Sequence, residues 1–168
     1  MSDNYGGTPA EPMANGEDTA PAVGMISQYV KDLSFENPNA PAIYQAEQAP
    51  EVSVQFDIGA NQVGEEIHEV TLKIEVRAES GGQVAFLVEL SYAGLFGLRN
   101  VPADAFQPFL LGEAPRLLFP FARRVVADAI RDGGFAPLML EPIDFNMLYH
   151  QQLAQQQGGQ LSGQFGQA

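Results

Sequence analysis

Four segments between residues 25 and 92 alternate apolar and polar side chains with a period of two, the pattern of strands with one buried and one wet face. Val52, Val54, Phe56 and Ile58 alternate with Ser53, Gln55 and Asp57, and His68, Val70, Leu72, Ile74 and Val76 alternate with Glu69, Thr71, Lys73, Glu75 and Arg77. In a further strand Val84, Phe86, Val88, Leu90 and Tyr92 form one face, opposite Ala85, Leu87, Glu89 and Ser91. The turn residues Glu79-Ser80-Gly81-Gly82-Gln83 between these last two predict an antiparallel hairpin. The first segment, Met25 to Phe35, is less regular. Tyr29, Leu33 and Phe35 share one parity, whereas Gln28, Asp32, Ser34 and Glu36 share the other with Ile26 and Val30. Between it and the second strand, Asn37 to Pro50 holds Pro38, Pro41 and Pro50, which remove ladder donors and disfavour helix, so a long extended crossover is expected.

After Asn100 the period becomes helical: Phe106, Phe109 and Leu110, then Leu117, Leu118 and Phe121, then Val125, Val126, Ala129 and Ile130. Pro108, Pro115 and Pro120 lie inside this pattern and predict a helix that kinks or starts in pieces. Gly133-Gly134 ends it with a left-handed cap position. A second helix is expected from an N-cap at Asp144, with Phe145, Leu148, Tyr149 and Leu153 along one stripe. Strands followed by helices predict an α+β fold: a four-stranded antiparallel sheet with two C-terminal helices packed on one face. Residues 1–24 mix Gly, Pro, Ala, Asn and acids with few large apolar residues and read as a disordered acidic arm; residues 158–168 are uncharged and rich in Gly and Gln and read as a flexible tail. The folded domain is then 25–157.

Composition narrows what such a domain can do. With 45% apolar residues over 168 positions, the chain can bury a core without staples. It has no cysteine, which removes thiol nucleophiles, thiolate metal sites and disulfides and fits a reducing compartment, with the cytoplasm as the default. No basic start followed by an apolar run opens the sequence, and no stretch approaches the length of a spanning helix, so neither export nor membrane insertion is expected. A formal net charge of −13 repels phosphate backbones and anionic lipid, which argues against nucleic-acid binding.

Candidate chemistry is sparse. Neither a P-loop nor a dinucleotide fingerprint is present, and no serine sits in a nucleophile-elbow pattern. Glu65-Glu66-Ile67-His68-Glu69 has the residue types of a small acidic hydrolase site. Strand parity sends Glu69 away from His68 and leaves only Glu66 on its side, so a solvated strand end with a satisfied histidine is the better reading. His150 belongs to a helix surface, and Arg124 with Asp128 forms an i,i+4 pair within the only basic concentration, Arg116, Arg123, Arg124 and Arg131. Two features suit binding better. Asp32 and Glu36 share parity on the first strand, as do Leu87 and Glu89 on the last, so both pairs are able to decorate one outer sheet face. Irregular segments carry apolar side chains, Ile43 and Tyr44 in the crossover and Phe135, Pro137, Leu138, Met139 and Leu140 between the helices, which makes either a folded-back cover or an apolar groove.

The stretch Lys31-Asp32-Leu33-Ser34-Phe35-Glu36-Asn37-Pro38-Asn39-Ala40-Pro41 resembles the opening signature of the bacterial SecB family. The resemblance continues through Pro50-Glu51-Val52, Ala85 to Phe96, Leu118-Phe119-Pro120-Phe121-Ala122-Arg123 and Pro142 to Tyr149 with Gln151-Gln152, spanning about residues 25–157. It implies a homotetramer, a dimer of dimers, acting as a cytoplasmic chaperone without catalysis, cofactor or metal. Such a protein binds unfolded preproteins in side grooves and hands them to the SecA motor. By resemblance, Asp32, Glu36, Leu87 and Glu89 dock the basic zinc-bearing C-terminal segment of SecA, while Val88, Leu90 and Tyr92 match positions of subunit assembly. Tyr44, Phe135, Leu138, Leu140 and Tyr149 are the implied walls of the client groove. Many relatives carry a tryptophan in the crossover where this chain has Gln48, which implies a different groove depth or ligand preference.

Overall fold

A computed structural model describes residues 19–162, with side chains to residue 158. It contains β1 (Ala22–Glu36), β2 (Glu51–Gly64), β3 (Ile67–Ser80) and β4 (Gln83–Arg99), then α1 (Ala103–Pro108), a π-helical turn (Phe109–Glu113), α2 (Ala114–Asp132) and α3 (Phe145–Ser162). The strands form one antiparallel sheet in the order β1-β4-β3-β2, so the α+β expectation holds. The β3–β4 hairpin turns at Gly81 and Gly82, whose φ of 58° and 79° are the left-handed values that a two-residue turn between twisted strands requires. The crossover is not wholly extended, because Ala42–Gln45 form a short 3-10 turn whose Ile43 is 6% exposed and joins the core.

Two boundaries move. β1 begins at Ala22, inside the segment expected to be a disordered arm, and α3 runs to Ser162, inside the expected tail. Edge pairing with β4 organises residues 22–24, and helix propagation from a docked first turn carries α3 past Gly158. Residues 1–18 and 163–168 of those predicted tails lie outside the described residues.

The core lies between the sheet and the helices. The even-numbered side chains Val70, Leu72, Ile74 and Val76 of β3 and Val88 and Leu90 of β4 are at most 2% exposed and form one cluster with Leu118, Ala122, Val126 and Ile130 of α2. Burial on this scale stabilises by about 1.5–3 kcal/mol per large side chain, which is what holds the helix to the sheet. The helical run from Ala103 to Asp132 is continuous, and the prolines express themselves as the π turn: Pro115 has no N–H with which to close an ordinary turn, and the Ala114 N–H reaches back to the Phe109 carbonyl. At the far end the Phe135 N–H meets the Ile130 carbonyl at 3.2 Å and the Gly134 N–H meets that of Arg131 at 2.9 Å, with Gly134 at φ 86°. This double closure is the left-handed cap expected at Gly133-Gly134. Asp144 caps α3 as expected, its carboxylate accepting the Met147 N–H at 3.0 Å.

β1 breaks the simple alternation. Val30 pairs with Tyr92 and Asp32 with Ser91, leaving Lys31 as an inserted residue. Tyr29 therefore faces away from Leu33 and Phe35, contrary to the shared parity read from the sequence. The bulge adds one residue and inverts the faces beyond it.

Candidate functional site

The sheet has one face covered by helices and one left open. On the open face, register aligns three rows across β1, β4 and β3: Glu36, Leu87 and Arg77; Ser34, Glu89 and Glu75; and Asp32, Ser91 and Lys73. Asp32, Glu36, Leu87 and Glu89 thus share one surface across the β1–β4 pair, and all but half-buried Leu87 are exposed. Glu75 and Glu89 stand directly opposite each other, a like-charge pair that destabilises an antiparallel ladder. Arg77, the nearest guanidinium along β3, is turned to Glu79 at 2.8 Å. The patch presents unneutralised carboxylates around a leucine, a surface suited to cationic and apolar side chains together.

Deeper on this face, Glu69 is only 9% exposed. Its Oε2 accepts the Tyr29 hydroxyl at 2.5 Å and its Oε1 pairs with the Lys31 ammonium at 2.6 Å. The two bonds, that from Lys31 foremost, hold the carboxyl below the usual range, and the Tyr29 phenol is pushed up to about 12, chiefly by its hydrogen bond to the carboxylate. Sequence reasoning missed this triad. Its only trace was the irregular parity of the first strand.

The second candidate region lies where the crossover meets the end of α2. From buried Phe86, which stacks on half-buried Phe35 at 6.2 Å, aromatic rings run outward through Phe135 and Tyr44 with centroid separations of 4.9 and 5.4 Å. Exposure rises along this series from Phe86 at 3% to Tyr44 at 49%. The Tyr44 hydroxyl donates to the Gly133 carbonyl at 2.7 Å, and the Asn37 amide donates to that carbonyl and to the Tyr44 oxygen. Asn37 was not singled out from sequence. Leu138 is half-buried and Met139 is 63% exposed. Leu140 and Tyr149, expected as groove walls, are 7% and 8% exposed; Leu140 lies in the core cluster, so both stand beneath the surface of the chain. A cavity of about 480 Å³ opens between the crossover and the β3–β4 turn, lined by Ile43, Gln45, Glu47, Gln48, Ser80 and Gln83. Gln48, the position of the expected tryptophan, is therefore in its wall.

Val88, Leu90 and Tyr92, expected at a subunit interface, are sealed within the single chain at 0%, 2% and 6% exposure because α2 packs over them. The side chains left open beside them are Val30 and Leu33 of β1, which pair with Tyr92 and Leu90 and are 45% and 44% exposed. The acidic hydrolase constellation is dispersed. His68 packs against Phe106 with ring centroids 5.5 Å apart, Glu66 turns to Arg99 at 3.7 Å, and Glu69 serves Tyr29 and Lys31 on the opposite face. The histidine is not satisfied as expected, since its Nδ1 is buried without a hydrogen-bond partner among the described residues. Among those residues no group of three or more His, Asp or Glu is placed to hold a metal, and no helix is long and apolar enough to cross a membrane.

The fold is thus an antiparallel four-stranded sheet with helices on one face, an open acidic face and an aromatic ladder that reaches the surface. The family model for preprotein translocase subunit SecB matches residues 16–156. The protein-export protein SecB of Sphingopyxis alaskensis is 64% identical over 147 residues, covering 88% of this chain and 86% of that one; its counterpart in Rhizorhabdus wittichii is 62% identical over 156 residues, covering 93% of each. The chain belongs to the SecB family of protein-export chaperones. In fold it is also similar to a SecB-like chaperone of Mycobacterium tuberculosis, solved in complex with a ChAD peptide from an antitoxin, with a TM-score of 0.61, 15% identity and coverage of 72% of this chain and 90% of that one.

Proposed function

We propose that this chain is a subunit of a cytoplasmic homotetramer, a dimer of dimers, that holds unfolded preproteins and delivers them to SecA, acting through binding alone. The observation that carries the client-binding half is the aromatic series ending at half-exposed Tyr44 against Phe135. An apolar surface flanked by exposed backbone accepts many extended sequences and discriminates little between them. The peptide carried by the mycobacterial SecB-like chaperone supports the same mode of use. At −13 per chain, a tetramer keeps such surface soluble and draws basic stretches of unfolded chains towards it. Several weak sites on one particle add through effective concentration while each contact stays reversible, as handover requires.

The docking half rests on the open face, where Asp32, Glu36, Leu87 and Glu89 offer carboxylates and one apolar side chain to the basic zinc-bearing C-terminal segment of SecA. The client reading is tested by aggregation of an unfolded preprotein with and without the purified protein; unchanged aggregation and no stoichiometric complex by light scattering would refute it. For docking, Glu89→Lys is expected to weaken binding of the SecA segment while client binding and assembly stay intact. Wild-type affinity of that variant by calorimetry would remove Glu89 from the site.

A further inference from the structure

We infer that Glu69 is a positioning residue for the open face: by gripping Tyr29 and Lys31 together it holds the bulge at Lys31 and thereby aims Asp32 and Glu36 outward beside Leu87 and Glu89. The inference rests on the docking reading above. Without the inserted Lys31, β1 would alternate strictly from Ser27 to Glu36, and Tyr29 would share a face with Leu33 and Phe35. Inner-face packing holds the C-terminal half of the strand, where Phe35 stacks on Phe86 and its ring lies where a side chain on Gly133 would stand. In the N-terminal half the inner face offers the Tyr92 hydroxyl, which donates to Gln28 at 3.1 Å, and Met25 against the core, and the outer face adds a charged hold next to the bulge itself.

Glu69 supplies that hold. It projects from β3, which is separated from β1 by β4, and it reaches both side chains that flank Val30. The strand between them carries Ala93 opposite both Tyr29 and Thr71, and this small residue, 0% exposed, leaves room for the phenol and the ammonium to pass over β4. A carboxylate so nearly buried needs partners for both oxygens, and it has one for each, so either partner alone leaves it half satisfied. The preference for the bulged register is thus set by a charged group that the docking partner need not touch. A bulge that re-aims side chains next to a binding surface is a recurrent use of this irregularity.

Three variants of the full-length protein test this: Glu69→Gln, Tyr29→Phe and Lys31→Met. Each is expected to weaken binding of the basic SecA segment by roughly threefold to tenfold, to speed amide exchange at Val30 to Asp32, and to leave affinity for an unfolded preprotein unchanged. Lys31→Met separates positioning from simple charge. It removes a positive charge from an acidic docking surface, so charge alone predicts tighter binding of a basic segment whereas loss of the clamp predicts weaker binding. Tighter or unchanged binding by Lys31→Met, or unchanged exchange in Glu69→Gln, overturns the inference. If the wild-type chain does not bind the segment at all, the docking reading fails, and exchange at the bulge still decides whether Glu69 holds it.

Discussion

The Tyr44 hydroxyl donates to the Gly133 carbonyl at 2.7 Å, so a residue of the crossover closes one of the open carbonyls at the end of α2. The bond ties the outermost ring of the aromatic series to the helix whose inner face forms the core. Tyr44→Phe keeps the ring and removes the bond. It is expected to lower stability by about 1 kcal/mol, in denaturant unfolding, and to loosen the crossover in hydrogen exchange more than the sheet. Equal loosening of both would mean that the bond does not localise there.

Gly133 and Gly112 are both glycines with no room, yet they should respond differently. A Cβ on Gly133 would lie 2.1 Å from the Phe35 ring, which is stacked on Phe86, whereas one on Gly112 would lie 2.2 Å from the Oδ1 of exposed Asn146. Gly133→Ala should cost about 1–3 kcal/mol through displaced core rings, and Gly112→Ala less, because an exposed amide turns aside. Thermal unfolding of the two variants checks the order; equal losses would contradict it.

Acid should weaken the protein through Glu69 and Glu113, whose carboxyls are held below the ordinary value of 4.5, Glu69 mainly by Lys31 and then Tyr29, Glu113 mainly by Arg116. Their pKa values are lower folded than unfolded, so this stabilisation is complete above the unfolded value and is lost as pH falls through the folded one. Tyr29 behaves in the opposite sense. Its raised pKa gives stability present below 10.0 and lost as pH rises through about 12. Glu69→Gln should therefore be less stable than wild type at neutral pH, with the gap closing below about pH 4. Chemical denaturation across that range measures it, and a gap independent of pH would show that ionisation of Glu69 is not its source.

Gln48→Trp places a large apolar side chain at the cavity between the crossover and the β3–β4 turn. The Ser80 hydroxyl bonds to the backbone carbonyl of residue 48 at 3.0 Å, so the substitution leaves that tie in place. Affinity for an unfolded preprotein is expected to change by about threefold to tenfold, with little change in melting temperature. Unaltered client titrations in this variant would detach the cavity from client binding.

The order of elements was legible along the chain because period-two and helical periodicity report directly which side chains meet the core. Both ends of α2–α3 were legible as well: Gly134 adopts the left-handed cap and Asp144 closes the first turn of α3. Asp32, Glu36, Leu87 and Glu89 could be assigned to strand faces by parity, since each pair lies on an uninterrupted stretch. Only the folded sheet joined the two pairs into one surface, by pairing β1 with β4 rather than with its chain neighbour β2. The bulge at Lys31 also waited for the fold, because an inserted residue is invisible until a partner strand supplies the register and Glu69, 38 residues away, supplies the grip. Burial of Leu140 and Tyr149 was decided the same way. An apolar residue in a loop or on a helix stripe marks a wish to leave water, and only the packing of distant elements settles whether it does so inside the chain or against another molecule.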